Sequence, residues 1–470
     1  MEEPFTRINN KDANSFPLRP IEMPTPTRIV GLLVLLLSAS LARSIDPAHY
    51  RELSQKLGVA AKQKNWQAAR DVLTEIGREL PAPTPRYFLT VASIEAKLGH
   101  KDEALKWLEK FAATGLNYDI ARDEELKGLL ADPAGQKIAA QMKSRSQPKT
   151  GTEFVCSLPQ ADTMPEDIAY LNQNSKAGGS FYVSSIQRHT LYRLSLPRPG
   201  SKECAMQEVP LSEDAKRWPT MAVSADPKRN VLWMTASAMP GFSGFPKIDE
   251  GKAQLMEVDA TSGKVLHSFT PETTGPTVLG DMCVTDEGTV YVTDSIGGGV
   301  YRLLGDPQTA KLERIADGLF SPQTPALARD GKRLFVADYT MGVAVIDLAS
   351  AGPTAKVAYL PHPENVAVVA LDGLYLSGDS LIGIQNGTDP ARILRIRLNH
   401  AQTEITGAEV VEQATETMGD PTHAVGVDGW FYVSANVGWS KVDDNTGQLK
   451  PGEKFTPPVL LRFSAKTSAR

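Results

Sequence analysis

The stretch GDMCVTDEGTVYVTDSIGGGVYRLL, residues 280–304, contains three short apolar runs separated by turn residues. The first run leads to a turn at residues 286–288, and the runs VYVTD and GVYRL follow. Apolar residues alternating with a period of two, bounded by Asp, Glu and Gly, are typical of antiparallel strands joined by tight turns. Residues 325–348, PALARDGKRLFVADYTMGVAVIDL, repeat this order with the turn at 330–331. The two stretches therefore predict a repeating β unit.

Further copies of this unit can be recognised on both sides of the first two. They begin at Asp167, Met221, Val366 (VAVVALDGLYLSG) and His423, so that six units start roughly 40–60 residues apart. Four-stranded units at this spacing predict an all-β six-bladed β-propeller over residues 151–470. The last unit lacks a fourth strand, and we expect EFVCSL at 153–158 to complete it, because a radial array is stable only when its ends are tied.

Residues 45–145 have helical rather than strand periodicity. The segment AAKQKNWQAARDVL, from Ala60, is echoed by EAKLGHKDEALKWL, from Glu95, at an offset of about 35 residues. This region resembles degenerate tetratricopeptide repeats, which predicts a helical module that supports the propeller or binds a protein partner. A generic helical cap is the alternative.

The N-terminal segment contains an apolar run at residues 29–42, which is too short for a transmembrane helix. Arg28 precedes the run, and Ser40 and Ala42 give the small-x-small pattern of a signal-peptidase site. We therefore predict a signal peptide within residues 1–44, with Met23 as the true start, and export to the periplasm or the medium. An uncleaved N-terminal anchor is the alternative.

Composition excludes some classes of function. The 470 residues include 50 Lys and Arg against 55 Asp and Glu, a net charge of −5, so no nucleic-acid partner is expected. The three cysteines show no C-x-x-C spacing, which argues against a zinc knuckle or a redox dithiol. Cys156 and Cys204 both fall on outer strands near the seam of the ring. A disulfide is one interpretation, but two small apolar residues is the favoured one.

In a propeller, the residues before each innermost strand form a ring at one mouth of the central channel, where function usually lies. The ring predicted here is rich in carboxylates and amides, which suit a Ca²⁺ or similar cation, although a solvated polar rim is the alternative. His423 is interpreted as a proton shuttle or a hydrogen-bonded rim residue. Aromatic residues such as Phe242 and Trp439 either form a ligand floor or pack in the core. The candidate residues are Glu166, Asp167, Asp281, Gln323, Thr324, Glu364, Asn365, Thr422 and His423.

Three motifs carry a family resemblance: MPEDIAY followed by FYVSS, GDMCVTDEGTVYVTDS, and SPQTPALARDGKRLFVADY. With them, about two thirds of the chain resembles the family of senescence marker protein, gluconolactonase and luciferin-regenerating enzyme. The resemblance implies a six-bladed propeller that hydrolyses lactones or esters. It also implies one divalent cation (Ca²⁺, Mn²⁺ or Zn²⁺), held by a Glu on the first blade, two Asn on middle blades and an Asp on the next blade.

Only part of that ligand set is matched by this sequence. Glu166 matches the first-blade Glu, Gly280 stands where one Asn is expected, and Gln323 replaces the other. Asn365 is assigned to the position of the Asp, where it cannot act as a base. The predicted metal residues are therefore Glu166, Gln323 and Asn365.

The remaining candidates are assigned to catalysis or to ligand contact. Asp281 and His423 are the catalytic candidates, and the ligand-contact candidates are Asp167, Thr324, Glu364 and Thr422. The favoured function is binding of a small molecule or protein at a channel with a degenerate metal site. The alternative is a divalent-metal-dependent lactone or ester hydrolase.

Overall fold

The structure is a computed structural model that describes residues 43–172, 179–198, 200–226, 228–242, 244–443 and 445–466. The predicted signal-peptide region, 1–44, lies outside these ranges except for residues 43–44, which follow the predicted cleavage site. Among the described residues, no helix is long and apolar enough to cross a membrane.

Five α-helices form the N-terminal module. Their starts follow local capping rules, because Asp46, Asn65, Thr84 and Asp132 each accept backbone N–H groups of the first turn through a side-chain oxygen. Short loops join the first two helices and the next two, so each of these pairs forms a hairpin. The helices are α1 (Pro47–Lys62), α2 (Trp66–Glu79), α3 (Pro85–Lys97), α4 (Lys101–Ala113) and α5 (Pro133–Arg145).

The strands follow in chain order, after a first short strand that precedes the helices. This first group comprises β1 (Arg43–Ser44), β2 (Glu153–Ser157), β3 (Ile168–Leu171), β4 (Ser180–Ser185), β5 (Thr190–Ser195), β6 (Ala205–Glu208), β7 (Thr220–Asp226), β8 (Val231–Ser237), β9 (Ala253–Asp259) and β10 (Val265–Phe269). Next come β11 (Leu279–Val284), β12 (Val290–Asp294), β13 (Val300–Leu303), β14 (Leu312–Ala316), β15 (Pro322–Leu327), β16 (Arg333–Asp338), β17 (Gly342–Asp347) and β18 (Ala358–Tyr359). The last group comprises β19 (Leu371–Ser377), β20 (Ser380–Gln385), β21 (Arg392–Leu398), β22 (Ile405–Gln413), β23 (Ala424–Val427), β24 (Trp430–Ala435) and β25 (Val459–Ser464).

These strands form six antiparallel sheets, so the predicted six-bladed propeller is confirmed. Blades 1, 2, 3 and 5 are β3–β6, β7–β10, β11–β14 and β19–β22, each numbered from its innermost strand. Blade 4 is β15–β18, with β1 added at its outer edge, which the sequence did not predict. Blade 6 is β23, β24, β25 and then β2, so the EFVCSL segment closes the ring as expected.

A disulfide joins Cys156 to Cys204 across the seam between blade 6 and blade 1. The favoured interpretation of these cysteines as two unpaired apolar residues is therefore wrong. Beside the disulfide, Ser157 and Glu203 form a parallel bridge, which brings the two Cα atoms of the cysteines to 5.5 Å. That separation lies in the range that a disulfide requires.

The helical module packs on the propeller face where the inner strands begin. Leu53 and Ile76 share an apolar cluster with Phe320, which lies just before β15. Tyr50 contacts Phe320 edge to face at 5.1 Å, and at the far end the Arg392 side chain donates to the carbonyl of Thr114. The module thus depends on blades 3 to 5 for its packing, while its tetratricopeptide character stays a prediction.

Candidate functional site

The inner strands of blades 3, 4 and 5 begin with the same irregularity. In each, the first residue pairs with the last residue of the second strand, and a β-bulge follows. Bulges redirect side chains and are common next to active sites. The residues directly after this first pair are Gly280 in blade 3, Gln323 in blade 4 and Asp372 in blade 5.

The register corrects the expected start of blade 5. Residues 366–370, interpreted as the inner strand, belong to the crossover that leads into β19, and Val366 and Ala367 are buried there. Asp372 and Gly373, an Asp-Gly pair that matches the turns of the other units, lie inside β19 instead. Asp372, rather than Asn365, is therefore the blade 5 residue at the channel.

Three ligand-type side chains converge at this end of the channel. Glu166, Asp372 and His423 each offer one oxygen or nitrogen atom, and these atoms lie within 4.8 Å of one another. The three residues come from blades 1, 5 and 6 and are all buried. This is the only group of three or more His, Cys, Asp or Glu with metal-type spacing among the residues that the structure describes.

His423 is held in place through both ring nitrogens. Its Nδ1 lies 2.7 Å from the backbone carbonyl oxygen of Glu166, and its Nε2 lies 2.5 Å from Oδ1 of Asp281. A carbonyl acceptor on Nδ1 fixes the ring orientation, as it does for histidines that bind metals through Nε2. The expectation of a rim histidine needs correction, since His423 is only 1% exposed.

The acids around His423 shift one another's ionisation. Burial raises the pKa of Asp167 to about 7, with Asp281 adding to the rise and His423 opposing it. Burial alone would lower the pKa of His423, but Asp281 and Asp167, with a smaller contribution from Asp372, raise it well above its ordinary value. His423 and these acids are therefore electrostatically coupled at the end of the channel.

Hydrogen bonds orient these carboxylates. Asp167 accepts the backbone N–H groups of Ile168 and Val223, at 2.7 and 2.9 Å. Asp372 accepts from the amide of Asn386 at 2.5 Å, and Asn386 in turn accepts from the hydroxyl of Tyr339 at 3.0 Å. The acids are thus preorganised by neighbours on their own blades and on adjacent ones.

Two long loops cover the channel end on the side of blades 1, 2 and 6. One joins β8 to β9 and the other joins β24 to β25; we call their described residues, 239–242, 244–252, 436–443 and 445–458, the roof. Trp439 of the roof donates its indole N–H to Oε2 of Glu166 at 2.5 Å. The alternative interpretation of a solvated polar rim is not supported at these residues, because Glu166 and Asp281 are only 4% and 2% exposed.

The other predicted residues divide into two groups. Thr324 and Thr422 are buried at the channel end, and the Thr422 hydroxyl donates to the carbonyl of Glu166 at 2.6 Å. Gln323 is half-buried, and its amide donates to the hydroxyl of Ser321 at 3.0 Å. Glu364 and Asn365 are exposed on the crossover before blade 5, outside the channel.

Glu364 was predicted to contact a ligand, and the structure shows a different contact. It pairs with Lys110 of α4 at 3.0 Å, and both side chains are largely exposed.

Asp372 was not predicted because its Asp-Gly pair resembles the turns of the other units. A signal was available, since residues 377–380 read SGDS, a second turn sequence that makes room for the strand SLIGIQ.

Glu166, predicted as a metal ligand, and His423, predicted as a catalytic residue, combine with Asp372 into a mixed set of two carboxylates and one imidazole. Imidazole suits Zn²⁺ and other transition metals, whereas Ca²⁺ takes six to eight oxygen ligands. The donor set fits Mn²⁺ or Zn²⁺ better than Ca²⁺.

No family model and no curated protein matches this chain. Similar solved structures include the PQQ-bound aldose sugar dehydrogenase of Streptomyces coelicolor, which is 11% identical, covers 68% of this chain and 98% of its own, and has a TM-score of 0.41. A luciferin-regenerating enzyme is 12% identical over 67% of this chain and 95% of its own, with a TM-score of 0.41. The gluconolactonase XC5397 of Xanthomonas campestris is 12% identical over 64% and 88%, with a TM-score of 0.40. These likenesses concern the propeller fold alone.

Proposed function

We propose that this protein binds a divalent cation, Mn²⁺ or Zn²⁺, through Glu166, Asp372 and His423, and binds a small molecule beside it at the end of the channel. The observation that carries the proposal is the convergence of the three ligand atoms within 4.8 Å. Three protein ligands leave coordination positions for an exogenous oxygen. A cation held there would polarise a carbonyl oxygen of the bound molecule.

The surroundings of the three residues support this proposal. Carboxylates gathered in a buried space repel one another, and a bound cation relieves that repulsion. The backbone carbonyl on Nδ1 of His423 leaves Nε2 directed at the carboxylates. Asp372 is oriented by Asn386, so two of the three ligands already have an outer partner of the kind that tunes metal sites.

Isothermal titration calorimetry with Mn²⁺, Zn²⁺ and Ca²⁺ tests the proposal. We expect one site per chain, with Ca²⁺ the weakest ligand. Glu166→Ala and Asp372→Asn should each abolish measurable binding. Glu364→Gln is the matched control, because Glu364 is exposed and paired with Lys110, and it should bind as the wild type does. Absence of binding by the wild-type protein, with no thermal stabilisation at millimolar cation, would refute the proposal.

A second candidate function is hydrolysis of a lactone or ester, favoured by the Asp281–His423 pair beside the proposed ligands. In that reaction water adds across the acyl C–O bond, and Asp281 would accept the proton of the water. Release of acid from simple lactones, measured with and without Mn²⁺, tests it. Asp281→Asn should retain the cation and lose turnover, whereas cation binding without turnover by the wild type leaves binding as the function.

We propose in addition that the chain is exported. The disulfide between Cys156 and Cys204 supports this, since such bonds persist mainly in oxidising compartments. The predicted cleavage before Arg43 would leave β1 intact. Mass spectrometry of the native protein should find an N-terminus at Arg43 and one free thiol, Cys283, before reduction. Three free thiols and a retained N-terminal segment would contradict export.

A further inference from the structure

The two loops of the roof meet above blade 1. A Cβ added at Gly241 would lie 2.3 Å from the carbonyl oxygen of Asn445, so only glycine permits this contact. Gln187, in the turn between β4 and β5 of blade 1, donates to the carbonyl of Gly447 at 2.8 Å. The roof is thus one surface assembled from blade 2 and blade 6, and blade 1 supports it.

An apolar layer joins the two loops of the roof to blades 1, 2 and 3. Phe242 from one loop contacts Trp439 from the other at 5.9 Å, edge to face. Met164, Met221 and Val278, which lie outside the roof, belong to the same buried cluster. Methionine-rich layers adapt to displacement better than branched or aromatic ones.

Trp439 connects this layer to the proposed cation site. Its indole N–H donates to Oε2 of Glu166 at 2.5 Å, while its ring packs against Phe242. Gly438, directly before it, has a φ of 107°, a conformation that suits glycine and few other residues. Gly438 therefore permits the backbone conformation directly before the residue that carries the indole.

We propose that the roof is a cover whose closure is coupled to cation occupancy through the hydrogen bond between Trp439 and Glu166. The inference rests on the proposed cation site. One oxygen of Glu166 held by the indole directs the carboxylate toward Asp372 and His423. Trp439 is therefore a positioning residue, and a molecule reaching the cation from this side must displace the roof.

Coupling of this kind is reciprocal. If a closed roof orients Glu166 for the cation, then a bound cation must hold the roof closed by the same factor. Outer partners of metal ligands typically change affinity by about 10–100-fold when they are removed. We expect an effect near the lower end of that range, because the indole donor is neutral.

Hydrogen–deuterium exchange of the full chain, with and without Mn²⁺, measures the roof directly. In the wild type, Mn²⁺ should slow exchange across the roof and leave exchange at the exposed turn at 330–331 unchanged. Trp439→Phe should bind Mn²⁺ about tenfold more weakly in calorimetry, and saturating Mn²⁺ should no longer protect the roof.

Trp233→Phe is the matched control. Trp233 is fully buried in β8, and its indole N–H has no hydrogen-bond partner among the described residues, so its replacement should leave both readouts near wild type. Glu166→Gln keeps the proposal testable if Trp439→Phe misfolds, because the amide oxygen of Gln still accepts from the indole. In this variant the roof should exchange as slowly as in the cation-free wild type, and Mn²⁺ should not slow it further.

The possible failures are distinguishable. If the wild type does not bind Mn²⁺, the proposed function fails and the coupling fails with it. If the wild type binds Mn²⁺ and the roof exchanges at the same rate with and without it, only the coupling fails. Equal protection of the roof by Mn²⁺ in the wild type and in Trp439→Phe would also refute the role of Trp439.

Discussion

Two kinds of buried acid occur in this propeller. Asp294 and Asp338 end the second strands of blades 3 and 4, whereas Asp281 and Asp372 lie at the end of the channel. Asp338 accepts from the backbone N–H of Phe320 at 2.9 Å and from three further backbone N–H groups, besides the hydroxyl of Tyr359. These bonds tie the crossover and the next turn to the blade.

The channel acids are arranged differently. They face one another and a histidine; burial raises the pKa of Asp167 to about 7, and the neighbouring Asp281 adds to the rise. An acid surrounded by backbone donors stabilises the fold, while acids that share one space cost stability unless something positive binds among them. The groups that surround a buried carboxylate therefore indicate its role better than its burial does.

The largest effect on stability is expected when an acid of the first kind, Asp338, is replaced. Asp338→Ala leaves several buried N–H groups without an acceptor, each costing about 1–3 kcal/mol. We expect the free energy of unfolding in urea to fall by about 3 kcal/mol or more. The exposed turn residue Asp286, changed to Ala, should stay within about 0.5 kcal/mol of wild type. Similar losses for both variants would contradict the structural role of Asp338.

A second prediction uses pH. Burial raises the pKa of Asp338 above its ordinary value of 3.8, so the folded state favours the neutral acid. That contribution to stability is present below the unfolded pKa and is lost as the pH rises through the folded pKa. The stability advantage of wild type over Asp338→Asn, measured by urea unfolding from about pH 4 upward, should therefore shrink with rising pH. An advantage that grows with pH would overturn this account.

The smallest effect on stability is expected in the channel. Without cations, Asp372→Asn loses a charge-assisted bond from Asn386 but also removes one of the mutually repelling acids. These changes oppose each other, so the unfolding free energy should stay within about 1 kcal/mol of wild type. Thermal unfolding in the presence of a chelator measures it. A loss of unfolding free energy as large as that of Asp338→Ala would show that both kinds of acid stabilise the fold to the same extent.

Much of the architecture was accessible from the sequence because it repeats. Alternating apolar residues and Asp-Gly turns predicted the six blades, and the unpaired EFVCSL segment predicted how the ring closes. Glu166, Asp281 and His423 were also found, since each stands directly before an inner strand or at its start. These features are local, and a local pattern is written in consecutive residues.

The remaining features depend on which parts of the chain meet. Asp372 reaches the channel because a bulge and a long crossover set the register of β19, and a turn-like Asp-Gly pair concealed this. The disulfide and the roof each join segments far apart in the sequence, and whether such segments touch is decided by the closing of the ring. The sequence by itself determined a six-bladed ring with acids at one end of its channel. The tertiary structure decided which acids share that space and that Trp439 covers them, because these contacts depend on side chains converging from different blades.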